Sequence, residues 1–442
     1  MNKIKTVCLT AAIASSSFSF AGGLLTNTNQ NVAFNRMMSR EASIGIDGVY
    51  FNPAGVAFLG QGHHLSLNWQ LAYQDRSIKN DYQLFTNNVN NPITPRTFKG
   101  KAFAPVIPSL QYAYNKGRWS FQANLALAGG GGKCTFDNGL GSFEKIVSET
   151  AMGACKLAQV VDGVAAPYGV PAVFSSKFGT DGKYTYDSYM HGRQYYYGIS
   201  IGAAYKVNDN FAVYGGVRTV YALCNYYGYV RDIKVGSMPL YQVLDPTKTT
   251  AADIELSCDQ TGLGFTPMIG VDFKTDRWNF SAKYEFKTRM RLKNKSVNQT
   301  PSIGNLDGNL RNAYLAGGVP EAAADAILSN PKVLGATTML KQQFNTELGE
   351  AIGEYEDGKK IEGDIPALLT VGVGYKPIDE LRINVGFHWF DDKHATSYNN
   401  RQKKLDRGTF EYSAGVEYDV NKKFTVSTGW QRTSYGVTDD YM

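Results

Sequence analysis

The chain has 442 residues, 43% of them apolar, 19% charged and 13% aromatic, with 28 Tyr, 23 Phe and 46 Gly. That apolar share excludes a disordered chain, and the Tyr, Phe and Gly excess over few charges points to strands joined by tight turns. The formal net charge of +6 includes Lys3 and Lys5 in a removable leader, and what remains is too small and dispersed for nucleic acid. No run of 18 apolar residues exists, which excludes a helical membrane protein.

The first 21 residues have the layout of a secretory signal. Asn2-Lys3-Ile4-Lys5 is a basic start, Val7 to Phe20 carries no charge, and Ser19-Phe20-Ala21 places small residues for cleavage before Gly22. Four cysteines follow the leader, Cys134, Cys155, Cys224 and Cys258; an oxidising compartment allows disulfides, of which 134–155 and 224–258 are the shortest closures. Spacing leaves the connectivity open. The segment 22–62 has no strand pattern.

From residue 63 onward, side chains alternate with period two. Leu65, Leu67, Trp69, Leu71 and Tyr73 oppose Ser66, Asn68, Gln70 and Gln74. Near the other end, Phe410, Tyr412, Ala414, Val416, Tyr418 and Val420 oppose Glu411, Ser413, Gly415, Glu417 and Asp419. Only a strand sends successive side chains to opposite faces. Eleven such strands are expected, beginning near residues 63, 104, 118, 190, 210, 255, 277, 365, 380, 408 and 423. Their connections alternate between tight turns, such as Asn115-Lys116-Gly117 and Asn208-Asp209-Asn210, and long excursions at about 75–102, 129–189, 233–254, 294–364 and 391–407. Short on one side and long on the other is the pattern of an outer-membrane barrel. A soluble sandwich would not sort its loops by side. With the leading segment periplasmic, an eleventh strand ends on the loop side. Bacterial barrels have even strand counts, so an odd number of strands is expected to follow residue 442.

Between the leader and the first strand stand Met38-Ser39-Arg40-Glu41-Ala42-Ser43 and Tyr50-Phe51-Asn52-Pro53-Ala54-Gly55. Asn-Pro-Ala about thirty residues after a mature N-terminus, followed by barrel strands, resembles the FadL/TodX family of outer-membrane transporters of long-chain fatty acids and other hydrophobic molecules. The resemblance implies an all-β transmembrane antiparallel barrel of 14 strands, three of them beyond this chain. It implies a plug, or hatch, over 22–62 carrying Asn52, Pro53 and Ala54, and a barrel over 63–442. It also implies a third strand kinked into a lateral opening, for which Gly129, Gly130, Gly131 and Gly132 are the candidates, since a Gly run weakens a strand. The competing reading of that run is the flexible start of a long loop.

The family places an outer ligand groove on its third and fourth long loops, here about 233–254 and 294–364. There Leu340, Phe344, Leu348 and Ile352 share one helical face, and Glu321 to Leu328 is a second helix candidate. Packing of those faces on each other is the competing reading. Lys283, Lys287 and Arg289 (with Arg291) fall on one strand face and are candidate lumenal cations for a carboxylate head group, or ordinary wall charges paired with Glu285, Glu417 or Asp272. Nothing points to catalysis or a cofactor: His388 has no Ser beside it by local spacing, and the single, widely spaced cysteines make no metal pattern. The expected function is passive, energy-independent inward transport of hydrophobic molecules, fatty-acid-like or aromatic. The expected neighbours are outer-membrane lipid and lipopolysaccharide, and the expected state is monomeric. A surface-anchoring adhesin barrel and a porin for polar solutes are the alternatives.

Overall fold

The computed structural model describes residues 23–438 and Tyr441; the side chains of Gly131, Gln343 and residues 347–351 lie outside the described set, and so does the leader. Eleven strands follow one another round an antiparallel wall: β1 Gly62–Asn80, β2 Arg96–Lys116, β3 Trp119–Phe136, β4 Tyr184–Lys206, β5 Phe211–Val235, β6 Ile254–Lys274, β7 Trp278–Glu285, β8 Leu368–Ile378, β9 Leu381–Phe390, β10 Thr409–Asn421 and β11 Phe424–Ser434. Each pairs with its sequence neighbours. Among the described residues no pairing joins β1 to β11. About 9–11 tilted residues cross a bilayer. β9, with 10 residues, is thus a bare span, whereas the 25 of β5 carry it well past the membrane toward the long loops.

Alternation decides which face meets lipid. Leu65, Leu67, Trp69, Leu71 and Tyr73 stand exposed on β1, and Leu263, Phe265, Ile269, Val271 and Phe273 on β6. Their partners in the period point inward and are polar: Asn68 and Gln70, Gln111 and Ser109, Gln122 and Asn124, Arg218, Asp272, Lys283 and Glu285, His388, Glu411 and Glu417 are all buried. A polar lumen behind an apolar exterior is the reverse of a soluble core and the signature of a membrane barrel.

Two strands are interrupted. After Glu285 the wall continues as Arg291–Ser296, which pairs with β6 (Lys293 opposite Thr261) and with Lys360–Glu362 ahead of β8. The break shifts the alternation by one residue: Ser281, Lys283 and Glu285 are buried below it, Thr288, Met290 and Leu292 above it. This corrects the expected lumenal position of Arg289, which is exposed on the outward face along with Arg291. A strict period-two reading cannot see such a slip.

The lumen is layered. Polar groups and the hatch fill the turn-side part. Above them lies an apolar layer including Tyr196, Cys224, Tyr226, Leu256, Leu292 and Tyr355. Over the loop-side end sits a helical cap built from α1 Gly141–Ala165, α2 Leu306–Ala316, α3 Glu321–Leu328 and α4 Pro331–Ile352. α1 lay unrecognised within the excursion 129–189. Its buried face, with Ile146, Val147, Ala151, Ala154, Leu157, Ala158 and Val161, packs against Leu306, Leu310, Ile327 and Phe344 of the other helices. All four cysteines are buried free thiols. The 134–155 closure is not made because Cys155 lies in the cap, its Sγ donating to the Phe178 carbonyl at 3.3 Å, while Cys134 belongs to the apolar lumen. Burial pushes the Cys155 thiol above its ordinary pKa.

Candidate functional site: the hatch and the wall gap

The hatch threads the lumen and bonds to strand after strand. Asn52 Nδ2 donates to Asp272 Oδ2 on β6 at 2.6 Å, while its Oδ1 accepts from the Gly55 amide at 3.1 Å. Asn52 thus closes the local turn that Pro53 opens and fixes that turn to the wall. The Pro53 carbonyl accepts Gln122 Nε2 of β3 at 2.7 Å, and Ala54 is fully packed against Tyr214 and Met268. Lys283 Nζ reaches the Tyr50 carbonyl at 2.6 Å and Glu285 at 2.8 Å, and Glu285 also binds Arg218 at 2.5 Å. Lys283 is therefore a buried, fully partnered hatch anchor. Lys287 lies higher, on the Asp364 carboxylate at 3.4 Å and the His394 carbonyl at 3.0 Å.

A second anchor gathers charges from both ends of the chain. Arg40 pairs with Asp47 at 2.7 Å inside the hatch, and Arg36 with Glu417 of β10 at 2.6 Å. Glu41 is fully buried, with one oxygen 3.2 Å from His388 Nε2 on β9. His388 Nδ1 lies 2.6 Å from Glu411 on β10. Both ring nitrogens face carboxylates, Nδ1 in hydrogen-bond geometry and Nε2 at the longer distance. The other Glu41 oxygen accepts from Ser39 at 3.1 Å and Ser413 at 3.3 Å. The wall makes room here by omitting side chains: a Cβ on Gly386 would stand 2.0 Å from Glu41 Oε2, and one on Gly415 2.2 Å from Met37 Sδ.

At the opposite side of the lumen the wall itself opens. β2 and β3 pair from Lys101/Thr135 to Phe103/Lys133, and again from Leu110/Leu125 to Lys116/Trp119. Between those stretches no cross-strand pair forms. On β2 the lapse holds Pro105 and Pro108, which have no N–H to offer a ladder. On β3 it holds Gly129–Gly132, with Gly130 at φ +65° and Gly132 at φ +89°. A Cβ on Gly130 would lie 2.5 Å from the Gln194 carbonyl, so only glycine fits this inward bend.

The bend is held by the hatch. Asn27 N donates to the Ala128 carbonyl at 3.0 Å, Gly130 N to the Leu25 carbonyl at 3.2 Å, and Asn27 Nδ2 to the Gly130 carbonyl at 2.6 Å. The first hatch segment therefore pairs with the stretch of β3 that has parted from β2 while staying paired with β4. At the lapse lies a cavity of ≈ 200 Å³, mostly apolar on the wall side (Leu71, Ile107, Pro108, Ala126, Leu127, with Gln70 and Ser109) and polar on the hatch side (Asn27, Asn29, Gln30, Asn35). The prolines of β2 were the available sequence signal for this site.

In the cap, Leu340 lines a small apolar cavity of ≈ 20 Å³ together with Leu157, Val161, Leu240, Leu306 and Leu310. Phe344 is buried in the same core, and the Leu348 side chain lies outside the described residues.

A strand wall with a polar lumen, short turns at one end, capped loops at the other and a plug bonded inside defines an outer-membrane barrel. A family model described as outer membrane protein transport protein (OMPP1/FadL/TodX) matches residues 162–439, well over half the chain. The protein belongs to this family, whose members carry hydrophobic and aromatic compounds across the outer membrane and are transporters rather than enzymes. Among solved structures, a Pseudomonas aeruginosa FadL homologue is similar over 94% of this chain and 82% of its own, with 16% identity and a TM-score of 0.53. The Ralstonia pickettii toluene transporter TbuX covers 89% of this chain and 82% of its own at 13% identity and TM-score 0.47. The P. putida toluene transporter TodX covers 88% and 79% at 13% identity and TM-score 0.46. No curated protein matches the chain.

Proposed function

We propose that this protein admits small hydrophobic molecules, fatty-acid-like or aromatic, by passive diffusion through the gap between β2 and β3. The single observation behind this reading is the coincidence of three features. The β2–β3 ladder lapses over 104–109 and 126–132, a cavity sits at the lapse, and the hatch strand is bonded to the part of β3 that has parted from β2. Crossing a polar lumen raises a greasy solute's free energy, by roughly 25 cal/mol per Å² of apolar surface wetted. A sideways exit into the bilayer avoids that cost.

In this reading the cap helices part around Leu340 and Phe344, which pack on each other's neighbours when closed, to capture the molecule; the apolar layer beneath receives it, and Gly129–Gly132 pass it to the wall gap. Asn52-Pro53-Ala54 keeps the hatch seated below. Lys283 and Lys287 are already partnered, which favours neutral cargo or one whose head group stays outside the lumen. The barrel works as an exported monomer with residues 22–62 as hatch and 63–442 as wall. Uptake of labelled toluene and labelled oleate in a strain lacking the gene, with and without the full-length gene restored, tests the proposal. Equal uptake in both removes it.

A further inference from the structure

We propose that the outward face of the Arg291–Ser296 strand is a binding site for a phosphorylated glycolipid of the outer leaflet, that is, lipopolysaccharide. This inference rests on the outer-membrane placement of the wall and not on which cargo passes. Arg289, Arg291, Lys293 and Lys295 follow at every second position and are all exposed, whereas Met290, Leu292 and Asn294 between them are buried. Lys360 is exposed directly across the ladder from Lys293. Alternate residues of a strand stand roughly 7 Å apart on one face. Five cations thus form a compact outward patch.

Partnering separates these cations from the rest of the wall. Arg218, Lys283, Arg382 and Arg231 all sit on carboxylates. Among the described residues, none of the five patch cations is in an ion pair; the exposed carboxylates nearby are Asp259, Glu356, Asp357 and Glu362, of which Glu356 pairs with Lys359 at 3.4 Å, Asp357 accepts from the Ser296 amide at 2.8 Å, and Glu362 stands across the ladder from Arg291. Asp259 already accepts from Asn225 at 2.8 Å. Unpaired cations on a lipid-facing strand are costly in hydrocarbon and favourable against anionic head groups.

Height supplies the second argument. Lys293 is level with Thr261 and Lys295 with Asp259, one step above the exposed Leu263 and Phe265 that end the apolar belt of β6. The strand leads on into the long-loop side, the outer face of such a barrel. The patch therefore lies where acyl chains give way to phosphates. Beside it opens a cavity of ≈ 350 Å³ bounded by Arg291, Lys359, Lys360, Ser397 and Tyr398 together with one carboxylate, Glu362, with room for a sugar carrying a phosphate. A neutral lipid would gain nothing from this arrangement. A fatty acid would satisfy only one of the five charges.

The test is native mass spectrometry and a detergent-phase titration of the full barrel with diphosphorylated lipid A, with its enzymatically dephosphorylated form, and with phosphatidylglycerol. Expected is retention of about one diphosphorylated molecule, weakened by salt, with poor retention of the other two lipids. Arg291→Ala, Lys293→Ala and Lys360→Ala should each weaken binding roughly fivefold and together roughly a hundredfold. Lys422→Ala with Lys423→Ala at a short turn should leave it unchanged. Heat-modifiable migration checks that each variant is folded, and the wild-type comparison of phosphorylated with dephosphorylated lipid stands even if a variant is not. Equal retention of all three lipids by the wild type, or unchanged affinity in the folded triple variant, overturns the proposal.

Discussion

Replacing Glu41 by Gln tests whether the buried charge cluster holds the hatch or merely fills the lumen. Glu41 has no solvent exposure and meets the His388 ring at 3.2 Å and two hydroxyls at 3.1 and 3.3 Å. The amide keeps the shape but loses the charge that these groups face. A hydrogen bond to a charged group contributes about 1.5–3 kcal/mol against about 0.5–1.5 kcal/mol for a neutral one, so the two hydroxyl bonds together weaken by about 2 kcal/mol. Taking about 2 kcal/mol, and about 1.4 kcal/mol per factor of ten, the displaced hatch should become roughly 30-fold more populated. Hydrogen exchange read by mass spectrometry on hatch peptides covering 37–47 should speed by that factor, while peptides of β9 and β10 stay protected by their wall ladders. If hatch exchange is unchanged, the cluster does not hold the hatch. If instead the barrel loses heat-modifiable migration, the cluster holds the wall.

Three further outcomes follow from the same geometry. Asn52→Ala removes the 2.6 Å bond to Asp272 and the local acceptor for Gly55, at a cost of about 1–3 kcal/mol for the group left unpaired; uptake should change while heat-modifiable migration persists. Gly130→Ala places a Cβ 2.5 Å from the Gln194 carbonyl at positive φ, so the β3 bend must relax at a cost of about 1–3 kcal/mol, and uptake should fall with barrel assembly intact. In the loop beyond β9, burial raises the Asp392 carboxyl to about 6. A folded-state pKa above the unfolded value of about 3.9 means stability that is fully present below pH 4 and lost as pH rises through 6, an amount on the order of 2–3 kcal/mol. Urea unfolding of Asp392→Asn should therefore show a flatter pH profile between 4 and 7 than the wild type; an identical profile rejects the assignment.

Much of the wall was legible because burial on one face imposes a period that propensity alone would not. Tyr412, Val416 and Tyr418 announce β10 without reference to any other strand. The helix α1 is legible in the same way, since Ile146, Ala154, Leu157 and Val161 keep helical spacing, although it sits within a long excursion between strands. Other features were out of reach. The slip between Glu285 and Thr288 depends on how β6 and Lys360–Glu362 meet the strand, so Arg289 was placed on the wrong face. Glu41 and His388 are separated by nearly the whole chain, and no local spacing links them. The gap was half legible: the Gly run marks β3, whereas the role of Pro105 and Pro108, which explain why the ladder cannot cross, depends on their facing that run from β2.

The claim that cargo leaves sideways is tested most directly by stapling the gap shut. Continuing the ladder below Leu110/Leu125 sets Ser109 against Ala126, and both line the cavity. A Ser109→Cys, Ala126→Cys variant should form a disulfide across the lapse under oxidation. Labelled toluene uptake should fall toward the gene-less background when the pair is oxidised and recover on reduction, with the single variants unaffected. Undiminished uptake through a fully oxidised staple would contradict the account.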